Sequence, residues 1–227
     1  MYSSLDRIDI TTAGENGRRW YIQTDHRSAD EMAQATELST VLALLRILNA
    51  QRLADSEGAQ GEIRYVVSSP PPAFMLRAIA AAGGRSFVDL DVPVAAPADA
   101  PALDDLLQSA FAALAQRTAA DLGVAISLEG LAAAELALTA EPVDPERDEI
   151  GYWGRILRLG ALGGEVMRAA NGGRWTIGGM GTLPVVLATG FRGEQATVNP
   201  LGKVIKLLAN GEEDSLVSLV RMIIGQP

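Results

Sequence analysis

The sequence predicts an α+β protein, with mixed α/β character, built from two units. Short runs rich in β-branched and aromatic residues are interspersed with longer stretches whose apolar residues recur every three or four positions. A hydrophobic content of 48% against 21% charged residues is typical of chains that fold around a core. We expect a small sheet with two or three helices in residues 1–92, and helices packed on a short antiparallel sheet in residues 103–227.

The N-terminal unit begins with a predicted β-hairpin. Two β-prone runs, residues 5–12 and 18–24, flank a segment rich in glycine and asparagine. The spacing of Ser28 and Glu31 is that of a capping box, which predicts the start of a short helix. Leucine and valine then recur at helical spacing through residues 38–48, which predicts a largely buried helix.

The sequence of the rest of this unit predicts a strand, a helix and a second strand. Residues 62–68 are rich in β-branched and aromatic side chains, as strands are. Pro72 can open a helix that continues through Ile79, and the glycines at 83–84 would end it. A short strand is predicted at residues 86–90.

A proline-rich connector is predicted at residues 93–102, where prolines stand among alanines and valines. In the unit that follows, Asn199 is a suitable helix cap and Pro200 fits the first helical position. The predicted helices of this unit span residues 103–114, 131–138, 148–170, 200–210 and 216–223, and its predicted strands span 175–177, 183–188 and 195–198.

The chain is acidic, and the acidity is concentrated in one segment. Its 19 basic and 28 acidic residues give a net charge of -9. Residues 93–150 contain 11 acidic and 2 basic residues, whereas 151–227 contain 5 acidic and 8 basic ones. This charge argues against nucleic acid or an anionic membrane as a partner. A solvated helix face that keeps the protein soluble is the favoured interpretation of the acidic segment, and the alternative is a surface that attracts a basic protein.

Composition also indicates the cellular setting. The chain contains no cysteine, which excludes disulfides, thiolate nucleophiles and cysteine-ligated zinc. The N-terminus lacks the apolar run of a secretory signal. The most apolar stretch, residues 41–48, contains Arg46 and is too short to cross a bilayer. We therefore expect a cytoplasmic protein without a membrane partner.

Few residues offer catalytic chemistry. His26 is the only histidine, and it follows Asp25 in a polar segment that predicts a turn between strand and helix. The glycines of residues 160–164 have neither the P-loop Lys-Ser/Thr nor the spacing of the dinucleotide-binding motif. On a helix, Gly151, Gly154, Ala161 and Gly164 would lie roughly along one side and predict close packing against a neighbour. We expect no cofactor and no metal site.

Two acidic pairs are candidates for partner binding. Asp104-Asp105 and Asp148-Glu149 each lie at a predicted helix start, where the helix dipole favours carboxylates even without a partner. Capping is therefore the favoured explanation for both pairs, and partner binding is the alternative.

Glu165 differs from these acids because the helical pattern places it in the middle of a helix. A charge there needs a partner, and Arg168 and Arg174 are the candidates. A buried structural ion pair is the favoured interpretation. The alternative is a functional carboxylate in a cluster that also contains Trp175. The candidate binding residues are thus Asp104, Asp105, Asp148, Glu149, Glu165, Arg168, Arg174 and Trp175.

Three motifs of the C-terminal unit form a recognisable series. They are Gly-Ala-Leu-Gly-Gly-Glu at residues 160–165, Gly-Gly-Arg-Trp at 172–175 and Asn-Pro-Leu-Gly-Lys-Val at 199–204. Together they resemble an uncharacterised family of small bacterial domains in which such a glycine-rich helix leads to a Gly-Gly-x-Trp strand and an Asn-Pro-x-x-Lys-Val helix. The resemblance covers residues 103–227. It implies a bacterial, cytoplasmic setting and brings no activity, cofactor or catalytic residue.

The sequence leaves three classes of function open. The leading hypothesis is a non-catalytic protein-interaction protein of the bacterial cytoplasm, in an immunity or defence-accessory role. The second is a small enzyme that uses the carboxylate and arginines around Glu165. The third is a structural subunit of a larger assembly.

Overall fold

The computed structural model describes most of the C-terminal half and parts of the N-terminal half. The described residues are 9–11, 19–25, 37–38, 41–42, 44–45, 48, 61–67, 73–81, 84–88, 92–95, 97–99, 101–177, 183–190 and 193–225. The chain divides into two compact units, Met1–Leu106 and Leu107–Pro227. The predicted α+β class is confirmed, since each unit combines helices with a sheet. The predicted division into 1–92, 93–102 and 103–227 stays a prediction.

A five-stranded sheet forms the N-terminal unit, with its strands side by side in chain order. These strands are β1 (Asp9–Thr11), β2 (Arg19–Asp25), β3 (Gly61–Val67), β4 (Arg85–Val88) and β5 (Val92–Pro93). β1 pairs antiparallel with β2, which confirms the predicted hairpin, while β2, β3 and β4 are parallel. Parallel neighbours require a crossover, and the helix α1 (Ala73–Ala81) connects β3 to β4.

Helical residues pack in the core of this unit as the periodicity predicts. The described residues between 37 and 48 are helical, and Val41, Leu44 and Leu45 are almost completely buried. Ile79 of α1 is 1% exposed, and its carbonyl accepts a hydrogen bond from the amide of Gly84 just beyond the helix. Among the described residues of this stripe, Val41, Leu44, Leu45 and Leu48 therefore belong to the core.

The segment predicted as a connector begins with a strand. β5 pairs antiparallel with β4, and the amide of Val94 donates to the carbonyl of Ser86 over 2.8 Å. Further along, Asp99 accepts from Arg77 of α1 over 3.0 Å. Proline does not prevent this pairing because Pro93 lies on an edge strand, where its missing amide costs no ladder bond.

The C-terminal unit contains helices and a three-stranded antiparallel sheet of order β6-β7-β8. The helices are α2 (Leu103–Leu122, which begins in the first unit), α3 (Leu128–Thr139), α4 (Glu149–Asn171), α5 (Pro200–Asn210) and α6 (Leu216–Ile224), and the strands are β6 (Arg174–Ile177), β7 (Pro184–Thr189) and β8 (Gln195–Val198). Within the described part of the chain, no helix is long and apolar enough to cross a membrane.

The helix α4 is the centre of this unit. It contacts α3, α5, α6 and β7, and its middle turns are buried on nearly every side. Leu157, Leu162 and Met167 are each 0% exposed. The asparagine that ends α4, Asn171, donates to the carbonyls of Thr189 in β7 and Ile223 in α6, and so joins three elements.

Helix caps lie where the sequence places them, with one exception. Asn199 caps α5 by accepting from the amide of Gly202 over 2.7 Å, as predicted. Negative charge at residues 212–214 suits the start of a following helix, but these acids form a separate 3-10 turn (Glu212–Asp214), and Ser215 caps α6.

Several predicted features lie outside the described residues. They are the capping box at Ser28 and Glu31, the turn at His26 and the helix start at Pro72.

Candidate functional site

The side chain of Glu165 lies at the centre of a polar cluster between α4 and β6. Its carboxylate accepts from Nη1 of Arg168 over 2.7 and 2.6 Å, and from Nε1 of Trp175 over 2.8 Å. Arg168, one turn further along α4, also donates from Nε to the carbonyl of Gly173 over 3.1 Å. The side chain of Glu165 is only 13% exposed. The expected ion pair therefore forms, and its partner is Arg168.

Trp175 has no contact with solvent. Its exposed fraction is 0%, and its ring stacks on Phe111 of α2 with the centroids 4.1 Å apart. Its amide donates to Oε1 of Gln108 over 3.3 Å. A tryptophan held from three sides is part of the core, so it offers no surface to a substrate.

The indole fits against α4 because Gly164 has no side chain at the point of contact. A Cβ at this position would lie 3.0 Å from Cε2 of Trp175 and still closer to Cζ2 and Cη2. Its neighbours on the helix behave alike, since a Cβ at Gly163 would press on Leu216 and one at Gly160 would press on Leu201. The predicted close packing is confirmed for Gly164, but the neighbour there is a side chain and not a backbone.

Arg174 does not belong to the cluster. It begins β6 next to Trp175 and is exposed, and because successive residues of a strand point to opposite faces, it is directed away from the buried ring. The structure thus brings together Glu165, Arg168 and Trp175 and leaves Arg174 apart.

Each of the two acidic pairs lies at the start of a helix. Asp148 caps α4 by accepting from the amide of Gly151 over 2.9 Å, and Glu149 is the first residue of that helix. Arg158 of α4 pairs with Asp121 at the far end of α2. Asp104 and Asp105 lie in the first turn of α2, at least sixteen residues before Asp121, which corresponds to about 24 Å along the helix. Asp104 and Asp105 belong to the first unit, and Asp148 and Glu149 belong to the second.

A different group of acids is exposed between α3 and α4. Residues 141–148, which we call the acidic loop, contain four acids and one arginine. Glu141, Asp144 and Glu146 are all exposed. The loop is held by hydrogen bonds from the amides of Arg147 and Asp148 to the carbonyl of Asp144, and Arg155 of α4 donates to the carbonyl of Glu141. The loop therefore presents negative charge from a defined conformation.

One structural carboxylate was missed by sequence reasoning. Glu135 of α3 accepts from Oγ of Ser215 over 2.7 Å and from the amides of Leu216 and Val217 over 2.9 and 3.1 Å. Glu135 thus accepts hydrogen bonds from amides at the start of α6 that have no partner within that helix. Its negative charge also suits the dipole at the N-terminus of α6. No local pattern could reveal this role, because Glu135 and Ser215 are 80 residues apart.

A second polar cluster links α5 to the turn before α6. Asp214 accepts from Nζ of Lys203 and from Nδ2 of Asn210, each over 2.6 Å. The hydrogen bond from Lys203, and then that from Asn210, lowers the pKa of Asp214 below its ordinary value of 3.8. This cluster fixes the chain direction at the end of α5.

The arrangement combines internal polar clusters, in which the carboxylates of Glu165, Glu135 and Asp214 accept hydrogen bonds, with an exposed acidic loop. Across the described ranges, no three histidine, aspartate or glutamate side chains are placed to hold a metal ion together. No protein-family model matches the chain, and neither a curated protein nor a solved structure matches it. The resemblance of the C-terminal motifs to a family of small bacterial domains therefore stays an expectation.

Proposed function

We propose that the protein is a non-catalytic protein-interaction protein of the bacterial cytoplasm, in an immunity or defence-accessory role, and that it binds a basic protein partner through the acidic loop. The observation that carries the proposal is the exposure of Glu141, Asp144 and Glu146 on one short ordered segment. Opposite charge on a partner would accelerate association and fix its orientation.

The conformation of the acidic loop supports binding at low entropic cost. Pro142 and Pro145 fix two of its backbone φ angles. The hydrogen bonds from the amides of Arg147 and Asp148 to the carbonyl of Asp144 close a turn just before α4. A segment that is already ordered loses little conformational freedom when it binds. The loop is therefore better suited to recognition than a mobile acidic tail of equal charge.

The non-catalytic assignment is supported by the use that the fold makes of Glu165. An enzyme would need this carboxylate to face substrate, whereas its two oxygens are engaged by Arg168 and Trp175. The alternative of an enzyme built on this cluster has no open reacting group among these three residues.

The test compares capture of a partner by the wild type and by a charge-neutral loop. The variant Glu141→Gln/Asp144→Asn/Glu146→Gln keeps the hydrogen-bonding shape of each side chain and retains Asp148, which α4 needs as its cap. Three exposed charges at about 0.5 kcal/mol each correspond to a roughly tenfold loss of affinity. The matched control is Glu194→Gln/Glu212→Gln/Glu213→Gln, which removes the same charge from exposed positions elsewhere.

The experiment uses the full chain as bait in an extract of the bacterium that encodes it. We expect one stoichiometric basic partner that is captured by the wild type and the control, released by added salt, and retained about tenfold less by the loop variant. Equal capture by all three proteins, or the absence of a stoichiometric partner, would refute the proposal.

A further inference from the structure

The side of α3 that faces solvent is apolar. The exposed residues of this helix are Glu129, Ala132, Ala133, Leu136 and Ala137. Leu136 is 75% exposed, which is the largest exposed fraction among the large hydrophobic residues at the described surface. Helices at a protein surface usually present charged or polar side chains to water. On α3 only Glu129 does so.

The exposed residues of α2 show the usual pattern. They are Asp105, Ser109, Gln116, Arg117, Ala120 and Asp121. Only one of these residues is apolar, so apolar exposure is a property of α3 and not of every helix in this part of the chain.

The exposed apolar residues of α3 share one side of the helix and lead directly to the acidic loop. Because successive helical residues are rotated by about 100°, positions 132, 133, 136, 137 and 140 fall within an arc of about 140°. We call these five residues the α3 face. Ala140 is exposed and is followed at once by Glu141 of the acidic loop. Glu129 lies in the same arc at the other end, so acids border the α3 face at both ends.

The charge around the α3 face selects its occupant. The helix contains no lysine or arginine, and its C-terminus adds partial negative charge beside the acidic loop. A second copy of the chain would bring acid against acid, whether the two α3 helices were parallel or antiparallel. An anionic membrane is repelled for the same reason. The occupant that matches both the apolar surface and its acidic borders is a basic amphipathic helix.

We infer that the α3 face and the acidic loop form one docking surface for a basic amphipathic helix of the partner. Apolar side chains of that helix pack around Leu136, and the alanines allow its axis to approach α3 closely. Its basic residues meet Glu129 at one end and the acidic loop at the other. The inference rests on the proposed function, to which it adds the apolar part of the interface and the structure of the bound element.

The probe is a synthetic peptide of about 14 residues, because about 12 helical residues cover the length from Glu129 to Ala140. It consists of leucine and lysine, with leucine at helical spacing along one side. Calorimetric titration of the full chain measures its affinity, and circular dichroism of the mixture measures the helix that the peptide gains on binding. A peptide of the same composition with its leucines spread around the helix has equal charge and no apolar face. It should bind at least tenfold less tightly.

Leu136→Gln tests the apolar contact without adding charge. It should weaken binding of the amphipathic peptide by at least tenfold and leave urea unfolding nearly unchanged, since the side chain is exposed. The matched control is Val92→Gln, which removes a side chain that is 59% exposed on β5 of the first unit. This control should bind the peptide as the wild type does.

The loop variant Glu141→Gln/Asp144→Asn/Glu146→Gln separates this inference from the proposed function. Weakened binding of the peptide by both the loop variant and Leu136→Gln, with Val92→Gln unchanged, would support the inference. Loss with the loop variant but not with Leu136→Gln, or equal affinity for the two peptides, would overturn the inference and leave the proposed function standing. Unchanged binding by the loop variant, to the peptide and to the captured partner, would overturn both.

Discussion

Gly164→Ala is expected to destabilise the protein, although alanine is the better helix former. In the middle of α4 the exchange by itself would raise the free energy of unfolding by about 1 kcal/mol. The structure opposes this gain, because the new Cβ would lie 3.0 Å or less from three indole atoms of Trp175. Non-bonded carbon atoms pack best at about 3.5–4.0 Å. One of the two groups must move.

The indole cannot withdraw without loss. Phe111 stacks against its face, and Glu165 holds its Nε1 over 2.8 Å. Overpacking a core costs about 1–3 kcal/mol, and breaking the hydrogen bond to a charged carboxylate costs about 1.5–3 kcal/mol. After the gain in helix propensity is subtracted, we expect a net loss of about 1.5–5 kcal/mol.

Urea unfolding followed by circular dichroism measures this loss. The reverse exchange at an exposed site, Ala132→Gly on α3, calibrates helix propensity in the same chain and should cost about 1 kcal/mol. A Gly164→Ala protein as stable as the wild type, or more stable, would show that the indole has room to move and would refute the packing argument.

Three further results are expected. Glu135→Gln should lower the free energy of unfolding by about 2 kcal/mol, because the amides at the start of α6 lose a charged acceptor. The control Glu146→Gln, at an exposed position, should change the free energy of unfolding in urea by less than about 0.5 kcal/mol. Equal effects of the two substitutions would contradict the role of Glu135. Because the pKa of Asp214 is lowered in the folded state, its contribution to stability is present above its unfolded pKa of 3.8 and lost as the pH falls through the folded value. The wild type should therefore lose stability as the pH falls below about 5. Lys203→Met, which removes the main cause of the lowered pKa, should lose less over the same range, and parallel pH curves would contradict this. Subtilisin should cut the segment 93–102 after residue 95 and not within the paired residues 92–94, and mass spectrometry of the first fragments decides between these positions.

Most elements of the fold follow from local patterns. The stripe at 38–48, the caps at Asp148 and Asn199, and the glycines before Glu165 each act through neighbours within a few positions, so the sequence is sufficient to predict them. The strand Val92–Pro93 escaped prediction because its composition is that of a connector, and only the nearby edge of β4 gives it a partner.

The candidate site was harder to predict because its interactions are distant in sequence. Arg168 can be predicted as a partner of Glu165 because it lies one turn along the same helix. The hydrogen bond that Trp175 donates to Glu165 instead connects β6 to α4. Asp148, by contrast, caps α4 as its position at a predicted helix start indicates. The acidic loop had no motif, and its exposure emerges from the way the helices pack.

The most direct test of the account compares the dissociation constant of the captured partner for the loop variant and for Glu165→Gln. If the acidic loop binds and Glu165 is structural, the loop variant loses about tenfold in affinity at unchanged stability. Glu165→Gln should then lose about 1–3 kcal/mol of unfolding free energy at unchanged affinity. A Glu165→Gln protein that keeps its stability and loses the partner, beside a loop variant that binds normally, would contradict the account.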